Sequence, residues 1–281
     1  MKIGYINLAL ELKRRGVLKN TSNVYDMGSK ELRISYNDLK NKFNEYKIKF
    51  NSKDFEELRR FPKGKRISTK FFWKNIGIKN YYCSDINYEQ NSKFLDLNYP
   101  IKKITKQYDL INDFGNNEHA FNIAQAYENM FNLCKVDGHM WISQSLYGGN
   151  GFYNFDPSFF EGMAAANNLG VIYSAFVVNI EPYKQFFMPC DKEMLKGINL
   201  NKVINIDVTY ILKKRQNKKF KYFYQYNINN NQNPYLLTFD HGEHFAEKFY
   251  IPTKNLKEIK KLAKKGNVVC IEWLRSNKIK F

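Results

Sequence analysis

A chain of 281 residues that is 43% hydrophobic and 16% aromatic can bury a large core and is too apolar for a disordered tail. No apolar run approaches the ~20 residues of a spanning helix, and residues 1–7 lack the apolar stretch of a signal peptide, so a single cytoplasmic domain is expected. The 45 basic against 27 acidic residues, a net charge of +18, suggest nucleic acid, anionic lipid or an acidic substrate as partner, yet Lys far outnumbers Arg and arrives with abundant Asn, Ile, Phe and Tyr, so A/T-rich codon usage accounts for much of the excess.

Residues 6–15 place apolar side chains at helical spacing and end at Gly16, which predicts a short amphipathic helix. Val24 to Ser29 reads as a buried strand that turns sharply after Asp26 and Gly28. Residues 37–80, dense in Lys and Arg around a few aromatics and Pro62-Lys63-Gly64, read as a helical segment plus a basic loop inserted in the domain. Strands are then expected at 81–86, ending in Asp85; at 92–98, with Asp96; and at 108–115, ending in Asp113 and Gly115. A helix from Ala120 to Cys134 should stop at the turn signal Asp137-Gly138, with a strand at 139–143 after it. Asp156-Pro157 opens the next helix, which runs to Asn168, and strands follow at 171–180 and 203–213. A C-terminal extension from about residue 215 carries strand-like stretches at 220–226 and 268–273, an Asn-rich loop at 227–233, and the polar cluster Asp240-His241-Gly242-Glu243-His244, read as a surface turn. Cys83, Cys134, Cys190 and Cys270 are too far apart for a zinc motif and suit reduced structural thiols.

Alternating strands and helices call for an α/β fold with a mostly parallel sheet covered on both faces. Such sheets bind ligands beyond the carboxyl ends of their strands, where Asp26, Asp85, Asp96 and Asp113 recur. A carboxylate at the end of the second strand suits the two hydroxyls of a ribose. Together the four suggest a bound nucleoside that carries a cation, in a cleft more acidic than the protein as a whole.

The blocks Asp109-Leu-Ile-Asn-Asp-Phe-Gly-Asn-Asn-Glu-His119, Leu133-Cys-Lys-Val-Asp-Gly-His-Met140 and Gly151-Phe-Tyr-Asn-Phe-Asp-Pro-Ser-Phe-Phe160, with the small-residue helix that follows, resemble the class I S-adenosylmethionine-dependent methyltransferases, closest to bacterial sugar and small-molecule enzymes. The resemblance implies a Rossmann-like fold with a late antiparallel strand, and S-adenosylmethionine as cofactor with S-adenosylhomocysteine as product. It places Asp26, Gly28 and Ser29 by the methionine part, Asp85 and Ile86 at the ribose and adenine, Asp96 and Leu97 by the adenine, and Asp113, Phe114 and Gly115 near the sulfonium. His119, oriented by Glu118, is the implied base, Tyr147, Tyr153 and Asn154 would shape the acceptor pocket, and no metal is expected. The implied acceptor is a hydroxyl of a sugar, nucleotide-linked sugar or other small polar metabolite, phosphorylated or not, in surface-polysaccharide or related biosynthesis. A nucleic-acid methyltransferase and a non-catalytic binding protein are the alternatives. Two departures stand out: Gly28 is followed by Ser29-Lys30-Glu31 rather than further glycines, and Lys30 is an odd neighbour for a sulfonium.

Overall fold

A computed structural model describes residues 1–181, 184–195, 198–223, 256–264, 274 and 279–280. Among them, seven strands form one sheet: β1 (Asn23–Met27), β2 (Asn80–Ser84), β3 (Tyr108–Phe114), β4 (Cys134–Tyr147), β5 (Leu169–Glu181), β6 (Lys184–Pro189) and β7 (Asn205–Lys214), in the order β2-β1-β3-β4-β7-β5-β6. β1 pairs in parallel with β2 and β3, and β3 with β4. β7 lies antiparallel between β4 and β5, and β6 folds back antiparallel on β5 at the edge. This is a Rossmann-like α/β fold, mostly parallel with a late antiparallel strand, as expected; β6 is an addition not expected from the sequence.

Helices α1 (Ile3–Arg14), α2 (Tyr36–Glu45), α3 (Lys70–Asn75), α4 (Ile123–Leu133) and α5 (Pro157–Asn167) accompany the sheet, with the shorter α6 (Lys192–Leu195) and α7 (Leu256–Lys264) late in the chain. Strand side chains alternate between faces, so Val24 of β1 joins one apolar cluster with α1, α2 and α3, while Tyr25 and Met27 join the opposite one with α4 and α5. Both faces are therefore covered. The basic stretch 37–80 is the crossover from β1 to β2, and its Phe43, Phe55, Leu58, Phe72 and Trp73 are buried in the first cluster. Its lysines form the outer surface of a packed layer.

The sequence placed most elements, and the differences have local causes. Eight of the twelve α1 residues are buried, because β6 covers a face that would otherwise be solvated; a Cβ at Gly4 would stand 2.4 Å from the Phe187 ring. The Asp137-Gly138 turn is instead a bulge inside the long β4, with Asp137 at φ 62°. Residues 92–98 make only a single parallel bridge, Lys93 to Ser84, since the Asp96 side chain accepts from the Asn98 backbone N–H at 2.9 Å and closes a turn. α4 starts at Ile123, where the Asn122 side chain accepts from Gln125 N–H at 3.2 Å. α5 starts as expected, with Asp156 accepting from Ser158 N–H at 2.9 Å, and ends as expected, capped by the left-handed Asn168. Residues 220–223 are not a strand; residues 224–233, the cluster with His241, Glu243 and His244, and the expected strand at 268–273 lie outside the described residues.

Candidate functional site

A cleft of about 570 Å³ opens beyond the carboxyl ends of β1 to β4, at the point where β1 leads to one edge of the sheet and β3 to the other. This is the position at which open α/β sheets hold their ligands. One wall comes from the tips of β1, β2 and β3. Gly28 leaves β1 with φ 108°, a conformation reserved for glycine, and its backbone N–H donates to Ser84 O at 2.7 Å. The turn presents Ser29, whose N–H and hydroxyl both donate to one Asp85 oxygen at 2.8 Å, while the other oxygen accepts from Ile86 N–H at 2.7 Å. Although partial burial opposes it, these donors hold the Asp85 carboxyl below its ordinary pKa.

The four expected carboxylates separate at this wall. Asp85 lines the cleft; Asp26 and Asp113 are fully buried beneath it, and Asp96 stands aside in its own turn. Asp26 accepts from Thr69 Oγ1 at 2.6 Å, Tyr81 OH at 2.9 Å and Asn112 Nδ2 at 2.6 Å, which ties the tips of β1, β2 and β3 to the start of α3. Burial pushes its carboxyl upward. Asp113 accepts from Asn116 N–H at 3.1 Å, Asn117 N–H at 3.2 Å and the Gln144 side chain, and burial raises it to about 6. Both shape the loops that carry ligand-facing groups. The acidic ring expected from the sequence is accordingly replaced by a cleft of mixed sign, where Asp85 and Glu118 face Lys30, Lys2 and Arg33.

Lys30 folds back over the tip of β3, donating to Phe114 O at 2.7 Å and to Asn116 Oδ1 at 3.2 Å. Burial lowers its pKa, against the upward pull of Asp113, Asp26, Asp85 and Glu118. The same Asn116 side chain fills the space left by Gly28, where a Cβ would meet Asn116 Oδ1 at 2.3 Å. The missing side chain of Gly28 thus admits Asn116, where the sequence suggested the close approach of a ligand. Glu118 is buried, accepts from Ser145 N–H at 2.9 Å and lies 3.8 Å from Nε2 of the half-exposed His119. Phe114, Gly115 and His119 also line the cleft. Ile86 is 65% exposed outside it, Leu97 packs at the rim of the core, the Tyr153 hydroxyl donates to Phe121 O at 2.7 Å, and neither Tyr147 nor Asn154 reaches the cleft wall. Glu118 and His119 form a pair only; among the described residues no group of three or more His, Cys, Asp or Glu is placed to hold a metal ion.

The opposite wall was not foreseen. Tyr5 of α1 stacks on Phe114 with ring centroids 5.2 Å apart, and its hydroxyl meets Ser143 Oγ at 2.6 Å and donates to Asp207 Oδ2 at 3.3 Å. Asp207 also accepts from Asn179 Nδ2 at 3.1 Å and Asn205 Nδ2 at 2.6 Å, and burial raises its carboxyl to about 6 despite the nearby Lys2 ammonium. One signal was available: a charged residue within the apolar strand pattern Val-Ile-Asn-Ile-Asp-Val is a polar group that needs partners. Tyr5 and Ser143 carried no such mark.

No protein-family model matches the chain, and no curated protein matches it. Among solved structures it is similar to TehB from Haemophilus influenzae (10% identity, 73% of this chain and 61% of that one, TM-score 0.39). The YcgJ protein from Bacillus subtilis is similar at 11% identity over 74% of this chain and 99% of that one, with a TM-score of 0.38. An S-adenosylmethionine-dependent methyltransferase from Clostridium acetobutylicum is similar at 14% identity over 72% and 88%, with a TM-score of 0.25. The chain spans less than two-thirds of the first of these, and identities this low transfer no activity; function has to be argued from the cleft.

Proposed function

We propose that this protein is an S-adenosylmethionine-dependent methyltransferase that modifies a hydroxyl of a small polar metabolite, such as a sugar or nucleotide-linked sugar. The observation that carries the reading is the pairing of two unlike walls across one cleft at the switch point of a methyltransferase fold. The donor set suits the cofactor, whose ends carry a ribose diol, a carboxylate, an ammonium and a cationic sulfur. Asp85 would accept from the ribose hydroxyls in exchange for the Ser29 hydroxyl, Lys30 would hold the carboxylate, and Glu118 the ammonium. When bound, the cofactor supplies a methyl group already activated by the positive sulfur, so this chain has chiefly to align the acceptor and take a proton. Asp207 would take the proton on the acceptor wall, with Tyr5 and Ser143 orienting it; His119 beside Glu118 is the competing base on the other. A role in surface-polysaccharide synthesis would follow from a sugar acceptor.

One observation favours the non-catalytic alternative: Asn116 and Lys30 occupy the space at Gly28. Calorimetric titration with S-adenosylhomocysteine tests the choice. Saturable binding that weakens in Asp85→Ala supports the methyltransferase; no heat at high ligand concentration rejects it.

A further inference from the structure

Past Lys2, Glu31, Arg33 and Arg66 the cleft shares its wall with a side groove of about 430 Å³, closed on the far side by residues 57–66. Its floor is apolar, with Leu32 and Leu58 each 3% exposed. Its rim is cationic and incompletely paired. Arg66 Nη1 lies 3.2 Å from both oxygens of Glu31, which uses up that carboxylate. Arg33 and Lys65 have no carboxylate partner among the described residues, and Lys2 Nζ has only the neutral Asn179 Oδ1 at 2.9 Å. Glu57 is the one other acid on the lining. Burial lowers the Lys2 pKa, against the upward pull of Asp207 in the main cleft, and the Arg33 charge adds to the lowering; Arg33 and Lys65 carry the uncompensated charge of the rim.

The groove is built by backbone pairing. Leu32 N–H donates to Ile67 O at 2.8 Å and Thr69 N–H to Lys30 O at 3.1 Å, with an antiparallel bridge between Glu31 and Ser68. These bonds hold the segment carrying Lys65 and Arg66 beside the one carrying Arg33. At Gly64 a Cβ would stand 2.7 Å from Glu57 O, so the turn folds tightly back over the preceding helical segment and returns Lys65 to the groove.

We propose that this side groove binds the phosphate of a phosphorylated small-molecule acceptor, whose reacting hydroxyl then extends into the main cleft. The inference rests on the methyltransferase reading for the word acceptor, whereas the anion site itself stands on the groove. A guanidinium fork at Arg33 and point charges at Lys65 and Lys2 suit a phosphate, whose charge of about −1.5 to −2 exceeds that of a carboxylate.

The test is calorimetric titration of inorganic pyrophosphate into the wild type, the double variant Arg33→Ala/Lys65→Ala, and a control, Lys40→Ala/Lys53→Ala, on the same basic crossover but outside the groove. All four side chains are exposed, so none of these substitutions opens the core. The groove variant should lose pyrophosphate affinity by about 10-fold or more, the scale of losing charge-assisted hydrogen bonds, and the control by less than about 2-fold. S-adenosylhomocysteine affinity should be unchanged in the control and in the single variant Lys65→Ala, whose side chain lines the groove and not the main cleft. Equal pyrophosphate binding by wild type and groove variant, or an equal loss in the control, overturns the proposal; the latter outcome assigns binding to the overall +18 charge. Pyrophosphate binding that depends on Arg33 and Lys65 in a protein that ignores S-adenosylhomocysteine keeps the anion site and removes the methyltransferase reading.

Discussion

The two walls of the cleft are made in different ways. The wall at the tips of β1 to β3 is a set of tight turns whose acids are largely consumed in holding the turns: Asp26 binds three side chains, Asp113 binds two backbone N–H groups and Gln144, and only Asp85 remains at the surface of the cleft. The wall of Tyr5, Ser143 and Asp207 draws on an N-terminal helix and on the fourth and seventh strands, and keeps a half-buried carboxyl raised to about 6 in contact with the cleft. A carboxylate at a strand tip is therefore not a ligand group by position alone. What decides is whether the fold buries it, as it does Asp26 and Asp113, or leaves an edge of it on the cleft, as it does Asp85.

The largest effect that would sharpen this contrast is on stability. Asp26→Ala should cost about 3 kcal/mol in urea unfolding, because three buried donors lose their acceptor, which exceeds the gain from removing a desolvated carboxyl. A variant as stable as wild type would mean that Asp26 is not the tie between the turns. Next, Asp85→Ala should weaken S-adenosylhomocysteine by about 10- to 100-fold while the unfolding midpoint barely moves. Comparable losses of stability would make the two acids alike and erase the distinction.

On the opposite wall, Asp207→Asn should reduce turnover by about 100-fold at unchanged S-adenosylhomocysteine affinity. Only the ionised form of Asp207 accepts a proton, so with its carboxyl raised to about 6 the wild-type rate should rise with pH through that value and level above it. If His119→Ala lowers turnover and Asp207→Asn does not, the base belongs to the other wall. The smallest effect lies at the end of the sheet away from the cleft. His139 of β4 is buried, and burial together with the Lys213 charge lowers its pKa from 6.5 to about 4. A folded pKa below the unfolded one means stability that is present above pH 6.5 and lost as pH falls toward 4. His139→Gln should flatten that part of the thermal unfolding profile and leave cofactor affinity unchanged.

Much of the fold was legible because its signals are local. The Asp156-Pro157 helix start, the apolar runs of β5 and β7, and the Asp-Gly endings of β1 and β3 each state their structure within a few residues. Less legible were features that depend on distant neighbours. Gly28 marked a positive φ correctly, yet the space it opens belongs to Asn116, 88 positions along the chain. Lys30 looked out of place beside a cation; in the fold its ammonium is turned onto Phe114 O. Residues 37–80 read as a helical segment plus a basic loop, and their packing as a covered layer did not show, since charge is frequent there and the buried aromatics are spaced too widely to show one stripe.

By itself the sequence determined the alternation of strands and helices, the turns that end β1 and β3, and the placing of Asp85 at the second strand's tip, because these follow from periodicity and from residues that restrict their own backbone. Only the tertiary structure decided which carboxylates are spent on neighbours, which faces solvent or ligand, and that Tyr5, Ser143 and Asp207 meet. The physical reason is that a carboxylate's chemistry is set by its burial and its donors, and here most of those donors come from distant segments, as far as the 202 positions between Tyr5 and Asp207.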